Sequence, residues 1–247
     1  MNCRNGKRAL AFGAAFTFIA AMAGADPAEA ATQRYFVVDG TGSTQIQPLT
    51  GVETLVQLYG YNTGVQASAN TPYDIEETNQ NTQTFFLFRS TTTGDLGLFS
   101  LAGATVNGGY AQSSGSLTGL PLSTTLAVKD DPGGTLDSYV LSGSTFTYSN
   151  RSAPNKTDGF ALGGLAGQLF SITSSIGPGL NIDSIRIATR QGGGVGYFTL
   201  SNVLPGGSFE IVASLVPEPA TWGLMIASFA LIGGTVKRRA RAVSGAA

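Results

Sequence analysis

Thr84-Phe85-Phe86-Leu87-Phe88-Arg89 is the stretch that decides the fold. Successive side chains of a strand point to opposite faces, so four consecutive apolar residues make a strand apolar on both. This run predicts the central strand of a sheet. On either side of it the pattern changes to period-2 alternation. In Asn181–Arg190, Ile185 and Ile187 share one face against Ser184 and Arg186. In Tyr197–Val203, Phe198 and Leu200 alternate with Tyr197, Thr199 and Ser201; in Phe209–Leu215, Phe209, Ile211, Ala213 and Leu215 oppose Glu210, Val212 and Ser214. Leu122–Val128 and Thr145–Tyr148 repeat the pattern. Turn signals separate the runs at Asp131-Pro132-Gly133-Gly134, Ser142-Gly143, Gly177-Pro178-Gly179, Gln191-Gly192-Gly193-Gly194 and Pro205-Gly206-Gly207.

About ten such strands, spaced near the 8–12 residues of sandwiches and barrels, fit between Ala31 and Val216. Thr50–Tyr59 is the exception: Val52, Leu55, Val56 and Tyr59 fall at helical spacing and allow a short helix. No repeat of 20–50 residues is visible. With short loops and no crossover helices, residues 31–216 are expected to form an all-β domain, a β-sandwich of jelly-roll type.

Composition agrees. Gly, at 34 of 247 residues, is about twice its usual share of ~7%, and charged residues, at 12%, are about half the usual ~25%. Many turns would use the Gly, and exposed faces would carry Ser, Thr and Asn instead of charges. Basic residues gather at the two ends, and between Ala31 and Val216 seven basic and twelve acidic residues leave a net −5. That balance repels phosphates, so nucleic acid is not an expected partner.

Both ends read as addresses. Lys7 and Arg8, the apolar Ala9–Gly24 and the small residues of Ala28-Glu29-Ala30 form a secretory signal peptide, residues 1–30, cut before Ala31. Its removal also takes Cys3, the only cysteine, so the mature domain is expected to have no disulfide. At the other end, Pro217-Glu218-Pro219 leads into Ala220–Val236, which has no charged residue, and then into Lys237-Arg238-Arg239-Ala240-Arg241. At ~1.5 Å per residue the apolar run makes roughly 25 Å of helix, enough for a thin bilayer core. Its basic flank stays cytoplasmic by the positive-inside rule. Pro217 and Pro219 favour an extended segment that a peptidase cleft can engage, with Glu218 between them as a polar recognition point.

Residues 217–241 resemble the PEP-CTERM sorting signal: a Pro-Glu-Pro motif, one apolar span and an Arg-rich cluster, with a Trp shortly after the motif, here Trp222. The resemblance runs from Val216 to Arg241, about a tenth of the chain. It implies an exosortase as partner, a membrane-embedded cysteine peptidase or transpeptidase acting near Pro217-Glu218-Pro219. It also implies transient anchoring in the inner membrane by one C-terminal helix. The destination would be the cell surface or the extracellular, exopolysaccharide-bearing matrix of a biofilm. The sorting residues would be Pro217, Glu218, Pro219, Trp222, Lys237, Arg238, Arg239 and Arg241.

The middle domain offers little for catalysis. Histidine is absent, which removes Ser-His-Asp and Cys-His arrangements and the usual metal sites. Neither Lys129 nor Lys156 completes an S-x-x-K motif. A carboxylate glycosidase is conceivable, but Glu76-Glu77 sits in a polar stretch, Asp74–Gln83, that reads as a loop. Gly192–Gly196 lies between two strands with no helix after it, so it reads as a turn and not a phosphate cradle. Asp130-Asp131-Pro132-Gly133-Gly134 with Asp137 and Asp158 can be read as a calcium site or as turn chemistry. A non-catalytic surface or matrix protein with no cofactor is the expected function. A polysaccharide-binding module is the alternative, using Tyr59, Tyr61, Tyr110, Tyr139 or Tyr197 as its stacking surface.

Overall fold

The computed structural model describes residues 32–60, 75, 81–103, 109–130, 137–154, 157–201, 203, 206–216, 226 and 228–229. The named strands fall into two sheets. The first holds β1 (Thr32–Val38), β2 (Ser43–Ile46), β6 (Ala111–Thr118), β8 (Ser138–Ser142), β9 (Thr145–Ser152), β11 (Phe170–Ile176) and β14 (Ser208–Val216). Their order across the sheet is β2-β1-β14-β11-β6-β9-β8. The second holds β3 (Leu49–Gly51), β4 (Thr82–Ser90), β5 (Leu96–Gly103), β7 (Thr125–Lys129), β10 (Thr157–Gly163), β12 (Ser184–Gln191) and β13 (Gly194–Thr199). Their order is β13-β12-β4-β5-β10-β7, with β3 also paired to β4. The protein is all-β, two sheets packed face to face, as the alternation predicts.

β4 is the central strand that its aromatic run predicts. Phe85 and Leu87 point into the core between the sheets. Phe86 and Phe88 point the other way into a second apolar cluster. β5 and β10 are also buried along their whole length, because they follow β4 in the interior of the sheet, β5 beside β4 and β10 between β5 and β7. β4 is mixed in its pairing: β5 runs antiparallel on one edge, while β12 and β3 run parallel to its first and last residues.

The second cluster lies on the outer face of that sheet, under a short helix, α1 (Leu55–Tyr59). Thr54 caps it by accepting a bond from the Gln57 backbone N–H, and the Gln57 side-chain Oε1 accepts one from the Thr54 backbone N–H. Gly60 ends it in the left-handed conformation. Leu55, Leu58 and Tyr59 are its buried residues. The helical reading of Thr50–Tyr59 is therefore half right. Thr50 and Gly51 belong to β3, and Val52 and Val56 are exposed.

Other boundaries also move. Leu122 lies exposed in a turn, and its strand starts only at Thr125. The strand expected at Tyr197–Val203 begins at Gly194 and stops at Thr199, since only Gly192 and Gly193, both at positive φ, are needed to turn the hairpin. Thr82 and Gln83, placed in a loop by their polarity, open β4. Gln83 is buried there, donating bonds from Nε2 to Ser100 Oγ (2.9 Å) and Tyr148 Oη (3.0 Å).

The outer face of the first sheet explains the sparse charge. Register aligns Thr145, Thr118 and Thr173 in one row across β9, β6 and β11, and Thr147, Ser116 and Ser175 in the next. Hydroxyls make up most of this face, and Glu210, paired with Thr173, adds a charge where the first row reaches β14. One compact unit spans Gln33–Leu215, and both expected addresses fall outside it in sequence. The expected signal helix lies outside the described residues. Among those described, no helix is long and apolar enough to cross a membrane, and of 220–236 only Ile226, Ser228 and Phe229 are described, as helical.

Candidate functional site

Between Ile46 and Leu49 the chain leaves the first sheet and joins the second, turning at Gln47-Pro48. The corner is pinned to β12. The Gln47 N–H donates to Thr189 Oγ1 (2.8 Å), and the Gln47 carbonyl accepts from Thr189 Oγ1 (3.2 Å) and from the Arg190 backbone N–H (3.0 Å). This brings the edge strand of one sheet, β2, beside the edge hairpin of the other, β12–β13, and leaves a groove of about 450 Å³ between them.

Its described walls mix polar and apolar groups and carry no carboxylate. Thr44 and Gln45 line one side, and Gln47 lines the corner. Opposite them stand Thr189, Arg190 and Gln191, with Phe198 half-buried against the interior core. The Arg190 Nη1 donates to Thr50 Oγ1 (3.1 Å). Gly196 also lines the groove, and the Gln191 side chain lies against it where a Cβ would otherwise sit. Tyr197 lines the groove too, and it and the Gly192–Gly196 turn are the only lining residues that the sequence reading weighed for function. Gln47 and Thr189 are 142 positions apart, and no motif joins them.

The tyrosines named as a stacking surface are not brought together. Tyr59 is buried, Tyr139 packs on Phe160 with ring centroids 6.3 Å apart, and Tyr61 lies outside the described residues. Tyr110 and Tyr197 are exposed, and each has a guanidinium over its ring: Arg151 at 4.0 Å and Arg186 at 4.3 Å. Arg186 also donates from Nε to Thr84 Oγ1 (2.8 Å). Burial lowers its pKa from the ordinary arginine value, and the neighbouring Tyr197 opposes the shift.

Of the aspartates read as a calcium site or as turn chemistry, Asp130 and Asp158 both lie near the Tyr59 hydroxyl, and Asp137 is engaged elsewhere. Asp130 Oδ2 accepts the Tyr59 hydroxyl at 2.8 Å, and Asp158 is buried on β10. Asp137 Oδ1 accepts the Arg151 backbone N–H at 2.9 Å. Among the described residues no three acidic, histidine or cysteine side chains converge, and Asp131 lies outside them. Glu76, Glu77 and Lys156 also lie outside, and Lys129 is exposed at the end of β7.

The buried phenols make a pH prediction. Burial, reinforced by Asp130, raises the Tyr59 pKa well above 10.0, and burial raises that of Tyr148, which the Gln83 hydrogen bond only partly offsets. In the unfolded chain both ionise near 10.0, so above that pH the unfolded state binds fewer protons than the folded one. Their contribution is complete below pH 10 and is lost as pH rises through the folded values, at up to ~1.4 kcal/mol per pH unit for each phenol. Urea unfolding between pH 9 and 12 should show this slope, and Tyr59→Phe should flatten it.

Pro217, Glu218, Pro219, Trp222, Lys237, Arg238, Arg239 and Arg241 lie outside the described residues. β14 carries the described fold to Val216, the residue before the motif. No protein-family model, curated protein or solved structure matches this chain.

Proposed function

We propose that this chain is an exported, non-catalytic protein of the cell surface or exopolysaccharide matrix. The signal peptide delivers it across the inner membrane, and an exosortase sorts it through its PEP-CTERM tail. One observation carries the reading: the compact unit Gln33–Leu215 fills almost the whole interval between Ala30 and Pro217. Both expected cuts fall at the borders of the fold, so processing at either end removes no strand from the core. The Ser/Thr face of the first sheet suits a domain that works in water outside the cell. Within this reading the sandwich is of jelly-roll type. The chain crosses between sheets at each step from β5 to β8 and from β9 to β12, as a roll does, although β3 and β12 add parallel pairs.

Replacing Pro217-Glu218-Pro219 with three alanines tests the sorting step. Export should continue, but a longer chain should remain in the inner membrane, held by Ala220–Val236 and its basic flank. Fractionation and blotting against the ectodomain read the result. Normal release of the triple variant to the surface would contradict the proposal. A second reading, a polysaccharide-binding module, is favoured by the groove between β2 and the β12–β13 hairpin.

A further inference from the structure

We propose that one end of the sandwich docks on the lipid surface of the membrane that anchors the chain, with Leu122 and Leu169 set among the lipids. The inference rests on the proposal that Ala220–Val236 spans that membrane, and it deepens that reading by giving the ectodomain a membrane-facing end.

Register and hydrogen bonds define this end. β14 pairs antiparallel with β11, Ala213 opposite Phe170, so the chain leaves β14 beside the 164–169 loop. The 119–124 loop lies against that loop, and Ser123 Oγ donates to the Gly164 carbonyl at 2.8 Å. The turn between β4 and β5 joins them, its Asp95 Oδ1 accepting the Gly164 N–H at 3.1 Å. Thr92 of the same turn donates through Oγ1 to the Val52 carbonyl. Four segments at this end each carry an exposed aliphatic side chain: Leu122 is 88% exposed, Val52 71%, Leu169 56% and Leu215 48%. Scattered singly such residues are ordinary, but gathered at one end they point to a partner.

That partner follows from where the chain goes next. Only Pro217-Glu218-Pro219 separates β14 from Ala220, and the four steps from Val216 to Ala220 reach at most ~14 Å. A bilayer that holds Ala220 therefore lies close to Leu215 and the loops beside it. Charge is sorted the same way. At the opposite end of the described fold, Asp39, Asp130, Asp137, Asp158 and Asp183 outnumber Lys129 and Arg151. The leucine end sets Glu53 and Asp95 against Arg34, Arg89 and Arg190. Anionic lipid headgroups repel the first end and not the second. Docked this way, the ectodomain holds Pro217-Glu218-Pro219 at the bilayer surface, within reach of a membrane-embedded peptidase.

The full-length chain with Cys3→Ser, reconstituted in phosphatidylethanolamine–phosphatidylglycerol vesicles, tests this. One nitrobenzoxadiazole label is placed at Leu169→Cys or, as control, at Gly42→Cys on the opposite end, where nothing lies within 4 Å of a Cβ. Lipids with nitroxides on their acyl chains should quench the label at 169 and spare the label at 42. Leu122→Asp should move docking about 10-fold toward the free state, the value of one apolar side chain leaving water, and relieve quenching at 169. Leu122 and Leu169 are exposed, and an unchanged melting temperature shows that each variant folds. Trp222, the only tryptophan, reports the anchor itself. Quenched Trp222 with an unquenched label at 169 would overturn docking alone, whereas unquenched Trp222 would overturn the anchor and docking with it. Quenching at 169 indifferent to Leu122→Asp would also overturn docking. So would a label at 169 shielded from water yet untouched by the nitroxide lipids, which would assign this end to a second copy of the chain.

Discussion

Phe160→Ala is expected to cost about 3–5 kcal/mol of folding stability, the range for removing a buried aromatic ring. Phe160 sits on β10, at the centre of the core between the sheets. Its ring centroid lies 4.6 Å from that of Phe146 and 4.9 Å from that of Tyr148, both on β9 of the opposite sheet. β10 is held between β5 and β7 by ladder hydrogen bonds, so the backbone cannot collapse into the hole. The cost therefore includes the cavity as well as the lost burial. In urea the midpoint should fall with the slope unchanged. A loss below about 1 kcal/mol would show that the two sheets do not share this core.

Gly159→Ala should cost about 3 kcal/mol by the opposite mechanism, too little space. Gly159 pairs with Leu101 on β5, and a Cβ there would run into the Ser100 carbonyl oxygen and approach Leu101 Cα to 3.2 Å. Both neighbours are backbone in the middle of a buried sheet, so relief requires β5 and β10 to part. Gly42→Ala makes the control, because nothing lies within 4 Å of a Cβ at that position. Thermal melts of the two variants should separate clearly, with Gly42→Ala within about 0.5 kcal/mol of the parent.

These two positions show where sequence reading succeeds and where it stops. β4 is legible because Phe85-Phe86-Leu87-Phe88 leaves no polar face. β12 and β14 are legible because Ile185, Ile187, Phe209 and Ile211 keep period 2 against one core. β10 is not: Thr157-Asp158-Gly159-Phe160-Ala161-Leu162-Gly163 mixes Gly and Asp into a strand buried throughout, so it has no alternation to detect. Its glycine answers to the backbone of β5, which only the pairing reveals. The parallel pairing of β3 and β12 with β4 also leaves no local trace, since register between distant segments is settled by packing.

The groove was illegible for the same reason. Gln45, Gln47, Arg190 and Gln191 look like ordinary polar strand residues, and they come to line one groove only where the two sheets meet at an edge. The tyrosines drew notice by type, yet Tyr59 and Tyr139 went to packing. Sorting has the reverse character. The proposed signal is a local run of residues, Pro217 to Arg241, so a linear reading reaches it without the fold.

Mass spectrometry of the protein recovered from the cell surface tests the central claim most directly. Export with exosortase processing predicts a chain beginning near Ala31 and ending near Pro217-Glu218-Pro219, without Trp222 or the basic cluster Lys237–Arg241. Released protein that still ends at Ala247 would contradict it.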